Sequence, residues 1–188
     1  MDKFKFTLKA WPVIAVATIG LCYLTQTVAS WFGIALPDQQ NIDIVRQCGL
    51  HVFDSLKSFC NFAFLCVQVL VLLPAIEELV FRGGLFKLPL RTTGKWATDA
   101  KRLPTDATDR GAEHGTVSAV AAVLSSAMFS AAHYLAQPWP DSAFIALFSF
   151  GLAQCWLYRK TNRIWCAMLN HGLFNLTNLV LLFILPEA

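Results

Sequence analysis

Residues 59–86 read FCNFAFLCVQVLVLLPAIEELVFRGGLF, a stretch of 28 residues in which only Glu77, Glu78 and Arg82 carry charge. About 20 helical residues cross the hydrocarbon core of a bilayer, so a run this long and this apolar predicts a membrane-spanning helix. The three charges are the anomaly in it. On insertion scales each costs ~2.5–3.5 kcal/mol near a helix centre, and a group kept at that cost needs a partner or a task.

The rest of the chain suits the same solvent. Of its 188 residues 56% are hydrophobic and 14% charged, against a charged share of about 25% in soluble domains. That balance excludes a secreted or cytosolic globular enzyme. Four more apolar runs stand out: Trp11 to Leu36, Val117 to Gln137, Ser142 to Tyr158 and Ile164 to Leu185. The first holds 26 uncharged residues, with no small-residue cleavage site before Pro37, and exceeds the ~7–15 residues of a signal-peptide core. The run Ser142 to Tyr158 is the shortest, 17 residues with Gly151 inside it. The expected fold is all-α, a polytopic transmembrane bundle of about five membrane-spanning helices with a buried polar site. Residues 1–58 would supply an N-terminal tail, the first transmembrane helix and an outer connection. Residues 59–188 would form a four-helix catalytic membrane core with a cytoplasmic loop at about 88–116. Within that loop Thr92 to Gly115 mixes Thr, Asp, Lys, Gly and Pro without helical or strand period. There is no internal repeat and no second domain.

Basic residues orient the expected bundle. Lys3, Lys5 and Lys9 lie in the N-terminal tail, Arg82, Lys87, Arg91, Lys95, Lys101, Arg102 and Arg110 in the second connection, and Arg159, Lys160 and Arg163 in the fourth, together 13 of 15. Lys and Arg concentrate in cytoplasmic loops, which predicts a multi-pass cell-membrane protein with its N-terminus cytoplasmic and its C-terminus outside. The net charge of +3 resides in loops and forms no basic patch, so membrane lipid is an expected partner and nucleic acid is not. Cys22, Cys48, Cys60, Cys66, Cys155 and Cys166 form no CxxC pair and mostly lie in apolar runs, where a thiol behaves as a small hydrophobe. His51 and His114 fall in polar connections and read as solvated. Trp11, Trp31, Trp96, Trp139, Trp156 and Trp165 read as interfacial anchors.

Three spans each carry one polar cluster. Glu78 and Arg82 are four apart, share a helix face and can form an ion pair. Glu77 points about 100° away and is left unpaired, which suits a general base that takes a proton from water. His133 follows small residues, Ala119 to Ala122, Ser125 to Ala127, Ala131 and Ala132, that let neighbouring helices come close, so it is expected to point inward. Phe129 lies one turn earlier on its face and would shape the pocket. His171 and Asn175 are again four apart and present two donors side by side, as a developing oxyanion requires. Asn178 would extend that face by another turn. Each cluster also admits a plainer reading: interfacial charges for the glutamates, packing hydrogen bonds between helices for the histidines and Asn175.

Taken in order, Glu77-Glu78-x-x-x-Arg82, Phe129-x-x-x-His133 and His171-x-x-x-Asn175 resemble the signature of the CAAX protease and bacteriocin-processing (Abi) family of intramembrane glutamic endopeptidases. No position departs from the pattern, and the resemblance covers about residues 60–180, including the Gly151 to Thr161 stretch that leads into the third motif. It implies hydrolysis of a peptide bond in a membrane-associated protein or peptide, without a metal, another cofactor or a covalent intermediate. By the same resemblance Glu77 and His133 activate water, His171 and Asn175 hold the oxyanion, and Arg82 supports Glu78. The family's members range from trimming of prenylated proteins to bacteriocin immunity, which leaves the substrate and the oligomeric state open.

Depth poses a difficulty. Counted at 1.5 Å per residue from the connections, Glu77 falls near the cytoplasmic end, His171 roughly 10 Å in and His133 near the opposite end. Convergence requires the second span to continue as helix to about Leu88, and the third to tilt or to start later than Val117. Competing functions are a non-catalytic scaffold or immunity-type protein that binds a partner through the cavity, and a zinc protease using two histidines and a glutamate. The chain lacks the His-Glu-x-x-His pattern of the common zinc proteases. A proton-coupled transporter is disfavoured by the missing repeat.

Overall fold

The computed structural model describes residues 2–34, 40–87, 107–134 and 143–185. Among these residues the secondary structure is helical throughout, in six helices: α1 Lys3–Trp31, α2 Gln40–Leu50, α3 Leu56–Phe86, α4 Ala107–Tyr134, α5 Ala143–Thr161 and α6 Ile164–Ile184. Local signals set several boundaries. The Asp2 carboxylate accepts from the N–H groups of Phe4 and Lys5 and opens α1, and the Ser55 hydroxyl accepts from the Ser58 N–H and opens α3. Asn162, at φ 51°, takes the left-handed turn that ends α5, and with Arg163 it forms the whole link to α6.

Four helical stretches are long and apolar enough to cross a membrane: Lys3–Trp31, Leu56–Phe86, Thr116–Tyr134 and Ile164–Ile184. The protein is a multi-pass membrane protein. Helix α5 coincides with the remaining expected crossing and is 19 residues long, but Gln154, Arg159 and Lys160 lower its apolarity. Helix α2 occupies part of the expected outer connection, and α4 begins at Ala107, inside the stretch expected as loop; residues 88–106 lie outside the described residues. Large apolar side chains such as Val13, Val16, Phe64 and Val71 face outward, each more than half exposed. On a soluble protein such surface would seek a partner; here it meets acyl chains.

Buried packing centres on Phe129, Phe150 and Phe174 from α4, α5 and α6, joined by Ile14 and Ala15 of α1. Helix α1 docks through Trp11, whose indole N–H donates to the Thr177 hydroxyl at 3.2 Å, and through Phe6 against Trp156. Small residues let α4 approach its neighbours, as expected. A Cβ at Gly151 of α5 would stand 2.8 Å from the Ser126 Cβ, while Ser125 donates to the Phe81 carbonyl at 2.7 Å and Ser130 to that of Phe144 at 2.9 Å. Helix α3 changes winding twice, with π-helical turns at Gln68–Leu72 and Leu79–Phe86 on either side of the two glutamates. Such turns recur at functional sites because they rotate the following side chains and loosen backbone pairing.

Candidate active site

Glu78 and Arg82 form the expected pair, Arg82 Nε to Glu78 Oε2 at 3.1 Å, and both side chains are wholly buried. The guanidinium is held on two further sides. Its Nη2 donates to the Gly151 carbonyl at 3.2 Å, and its Cζ stands 4.6 Å from the centre of the Phe129 ring. Arg82 thereby ties α3 to α4 and α5. Sequence spacing anticipates the ion pair; it gives no sign of the Gly151 carbonyl.

His171 of α6 lies between the two glutamates. Its Nδ1 is 2.9 Å from Glu78 Oε1, and its Nε2 is 3.5 Å from Glu77 Oε2. A carboxylate paired with arginine can only accept, so Nδ1 carries a proton and donates it to Glu78. This arrangement revises the sequence expectation that Glu77 stands unpaired, because the imidazole supplies a neighbour from another helix. Glu77 is one quarter exposed and His171 nearly buried, so Glu77 forms the open end of the chain Glu77, His171, Glu78, Arg82.

Phe129 stands at the centre of the cluster. Its ring is 5.3 Å from Phe81, 5.8 Å from His171 and 4.6 Å from His133. These contacts resolve the depth difficulty. Helix α3 does continue to Phe86, which sets Glu77 roughly 13 Å from that end, comparable to the ~10 Å of His171 from the start of α6. Helix α4, by contrast, does not start later than Val117, and its Phe129 packs directly against Phe81 of α3 and His171 of α6. His133 is partly buried and sits one turn beyond Phe129, with Nδ1 2.9 Å from the Phe129 carbonyl. Against a carbonyl that nitrogen must donate, which in the neutral ring leaves Nε2 as the proton acceptor.

Asn175 follows His171 by one turn, and its Nδ2 donates to the Val69 carbonyl of α3 at 2.8 Å. Gly172, between them in sequence, lies against the Leu70 carbonyl so closely that a Cβ would overlap it. Asn178 does not extend the polar face: it is exposed, and its amide returns to the Phe174 carbonyl of its own helix. Two buried carboxamides escape any motif. Gln154 and Asn170 are fully buried, and neither amide has a hydrogen-bond partner among the described residues. Phe150, 5.0 Å from His171, is likewise not signalled by spacing. Among the described residues no three of His, Cys, Asp and Glu converge as metal ligands. His51 lies outside the cluster and pairs with Asp54 at 2.8 Å on an exposed turn.

A family model described as the Rce1-like type II CAAX prenyl endopeptidases matches residues 59–177, or 119 of the 188. The match runs from the first turn of α3 to two residues beyond Asn175 and so takes in every polar group of the cluster. No curated protein and no solved structure matches the chain.

Proposed function

The chain belongs to the Rce1-like type II CAAX prenyl endopeptidase family, a family of membrane proteases, and from that premise we propose that it hydrolyses a peptide bond in a membrane-associated protein or peptide by direct attack of water. Glu77 is the general base. Its carboxylate takes one proton from water, the resulting hydroxide adds to the scissile carbonyl carbon, and the proton passes to the leaving amine as the C–N bond breaks. His133, with Nε2 as acceptor, shares the proton transfer or orients the water. His171 and Asn175 stabilise the oxyanion.

The observation that carries this reading is the seating of His171 between Glu77 and Glu78, with Arg82 behind Glu78. Nδ1 is taken by Glu78, so Nε2, beside Glu77, is the ring nitrogen left to meet a substrate, and the oxyanion role requires a proton on it. An N–H donor beside the base is suited to negative charge developing on a carbonyl oxygen. In a water-poor site that interaction is stronger than in bulk solvent. Glu78 and Arg82 orient the ring and do not touch substrate; Phe129 and Phe150 wall the imidazole on its apolar sides.

We also propose, from the distribution of basic residues, that the N-terminus and the Arg82 end of α3 face the cytoplasm. Purified protein in lipid nanodiscs, supplied with a peptide bearing a prenylated cysteine three residues from its C-terminus and with an unmodified transmembrane peptide, tests the reaction. Cleavage of either by wild type and by chelator-treated protein alike supports water activation by Glu77. Loss on chelation with recovery on added zinc would transfer the role to a metal.

A second reading, partner binding without turnover, rests on a different feature: Asn175 and His171 already have protein neighbours, the Val69 carbonyl for the one and both glutamates for the other. Cellular function retained by Glu77→Ala, His133→Ala and His171→Ala alike, each accumulating in membranes, would favour it.

A further inference from the structure

The carbonyl that receives Asn175 is free for a reason written in the sequence. Inside a helix a carbonyl is ordinarily taken by the N–H four residues later. In the π-helical turn Gln68–Leu72 the Leu73 N–H reaches back five residues, to the Gln68 carbonyl, and so passes over Val69. The donor that π winding would next offer to Val69 is residue 74. That residue is proline, which has no N–H. Leu70 is affected too, since its ordinary donor four residues on is again position 74. Both carbonyls whose donor would be position 74 face α6: Val69 accepts from Asn175, and Leu70 lies against Gly172.

We propose that Pro74 and Gly172 are positioning residues for Asn175. Pro74 leaves the Val69 carbonyl open, and the missing side chain at 172 lets α6 come near enough for the amide to use it. A carboxamide has two N–H groups on one nitrogen. Binding one of them to Val69 fixes both the plane of the amide and which end faces α3, and so fixes the direction of the other. Without that bond the amide turns about its terminal torsion and presents its oxygen as readily as its nitrogen. This inference rests on the oxyanion role proposed for Asn175 and adds the device that aims it.

The test is kinetic, on the full chain in nanodiscs. Pro74→Ala restores an N–H that competes for Val69, and Gly172→Ala puts a methyl group against Leu70. Losing an oxyanion donor costs ~10²–10³ in kcat, so misdirecting one is expected to lower kcat ~10–10²-fold, with KM changed less than about threefold. Pro74→Ala is the cleaner variant, because replacing a mid-helix proline is expected to leave thermal stability equal or higher. Combined with Asn175→Ala, neither substitution is expected to lower kcat further. A third readout is independent of turnover: exchange protection of the Asn175 side-chain amide by NMR, expected to fall in both variants. Wild-type kcat in both single variants, with Asn175→Ala impaired, would overturn the inference while leaving the hydrolase reading intact. So would equal losses with and without Asn175. If Glu77→Gln itself cleaves normally, the underlying reaction assignment fails instead.

Discussion

Arg82→Met isolates the electrostatics of the site. In the wild type the guanidinium meets the Glu78 carboxylate at 3.1 Å and the Gly151 carbonyl at 3.2 Å, with both charged side chains wholly buried. Methionine keeps most of the volume and removes the charge, which leaves Glu78 as a buried anion with only His171 to compensate it. Breaking a buried pair from one side costs about 3–5 kcal/mol, because the surviving charge remains unsolvated. Against a total stability on the order of 5–15 kcal/mol that is a large share. The double variant Arg82→Met/Glu78→Met removes both charges, and the same principle makes it close to neutral apart from the acceptor lost to His171, about 1–3 kcal/mol. Equilibrium unfolding in mixed detergent micles with increasing SDS measures both. The expected order is wild type, then double variant, then Arg82→Met. A double variant less stable than Arg82→Met would refute the ion-pair account, and an Arg82→Met that unfolds with the wild type would refute the burial on which it rests.

His171→Ala and Asn175→Ala are each expected to reduce kcat ~10²–10³-fold with the protein still folded, measured on purified protein; a reduction under threefold removes that residue from the oxyanion role. His133→Ala is expected to cost ~10²–10⁴ if it transfers a proton, and the rate with His133→Gln separates proton transfer from hydrogen bonding. Gly151→Ala is expected to lose about 1–3 kcal/mol of stability, because the new methyl meets the Ser126 Cβ at 2.8 Å and neither helix backbone yields easily. Gln154→Leu and Asn170→Leu remove buried amides that lack hydrogen-bond partners among the described residues, so unfolding assays are expected to show unchanged or higher stability. A loss above about 1 kcal/mol in either would mean that the amide has a partner after all.

Element identity was legible because long apolar runs have one solution in lipid: a helix that satisfies its own backbone. The run holding Glu77 and Glu78 was legible as a span in spite of its charges, since Glu78 and Arg82 sit at the spacing that pairs them. Helix α2 was not, because its polar sequence carries no membrane signal, and α5 was marginal because its apolar run is only 17 residues long with Gly151 inside it. Within the cluster, four-residue spacings anticipated which groups share a face: Glu78 with Arg82, Phe129 with His133, His171 with Asn175. Spacing carries no information on what faces what across helices. The placement of His171 on both glutamates, the Gly151 carbonyl under Arg82 and the Val69 carbonyl under Asn175 depend on helix register and on two π-helical turns that no periodicity announces. Pro74 was the visible trace of one of them.

Rate of peptide cleavage by Glu77→Gln, compared with wild type in the same nanodiscs and with equal unfolding behaviour, addresses the water-activating carboxylate most directly. Glutamine keeps the size of the side chain and a neighbour for His171, and it lacks the basicity. Water activation by Glu77 predicts a kcat at least ~10²–10⁴-fold below wild type. Cleavage by Glu77→Gln within threefold of wild type would contradict it.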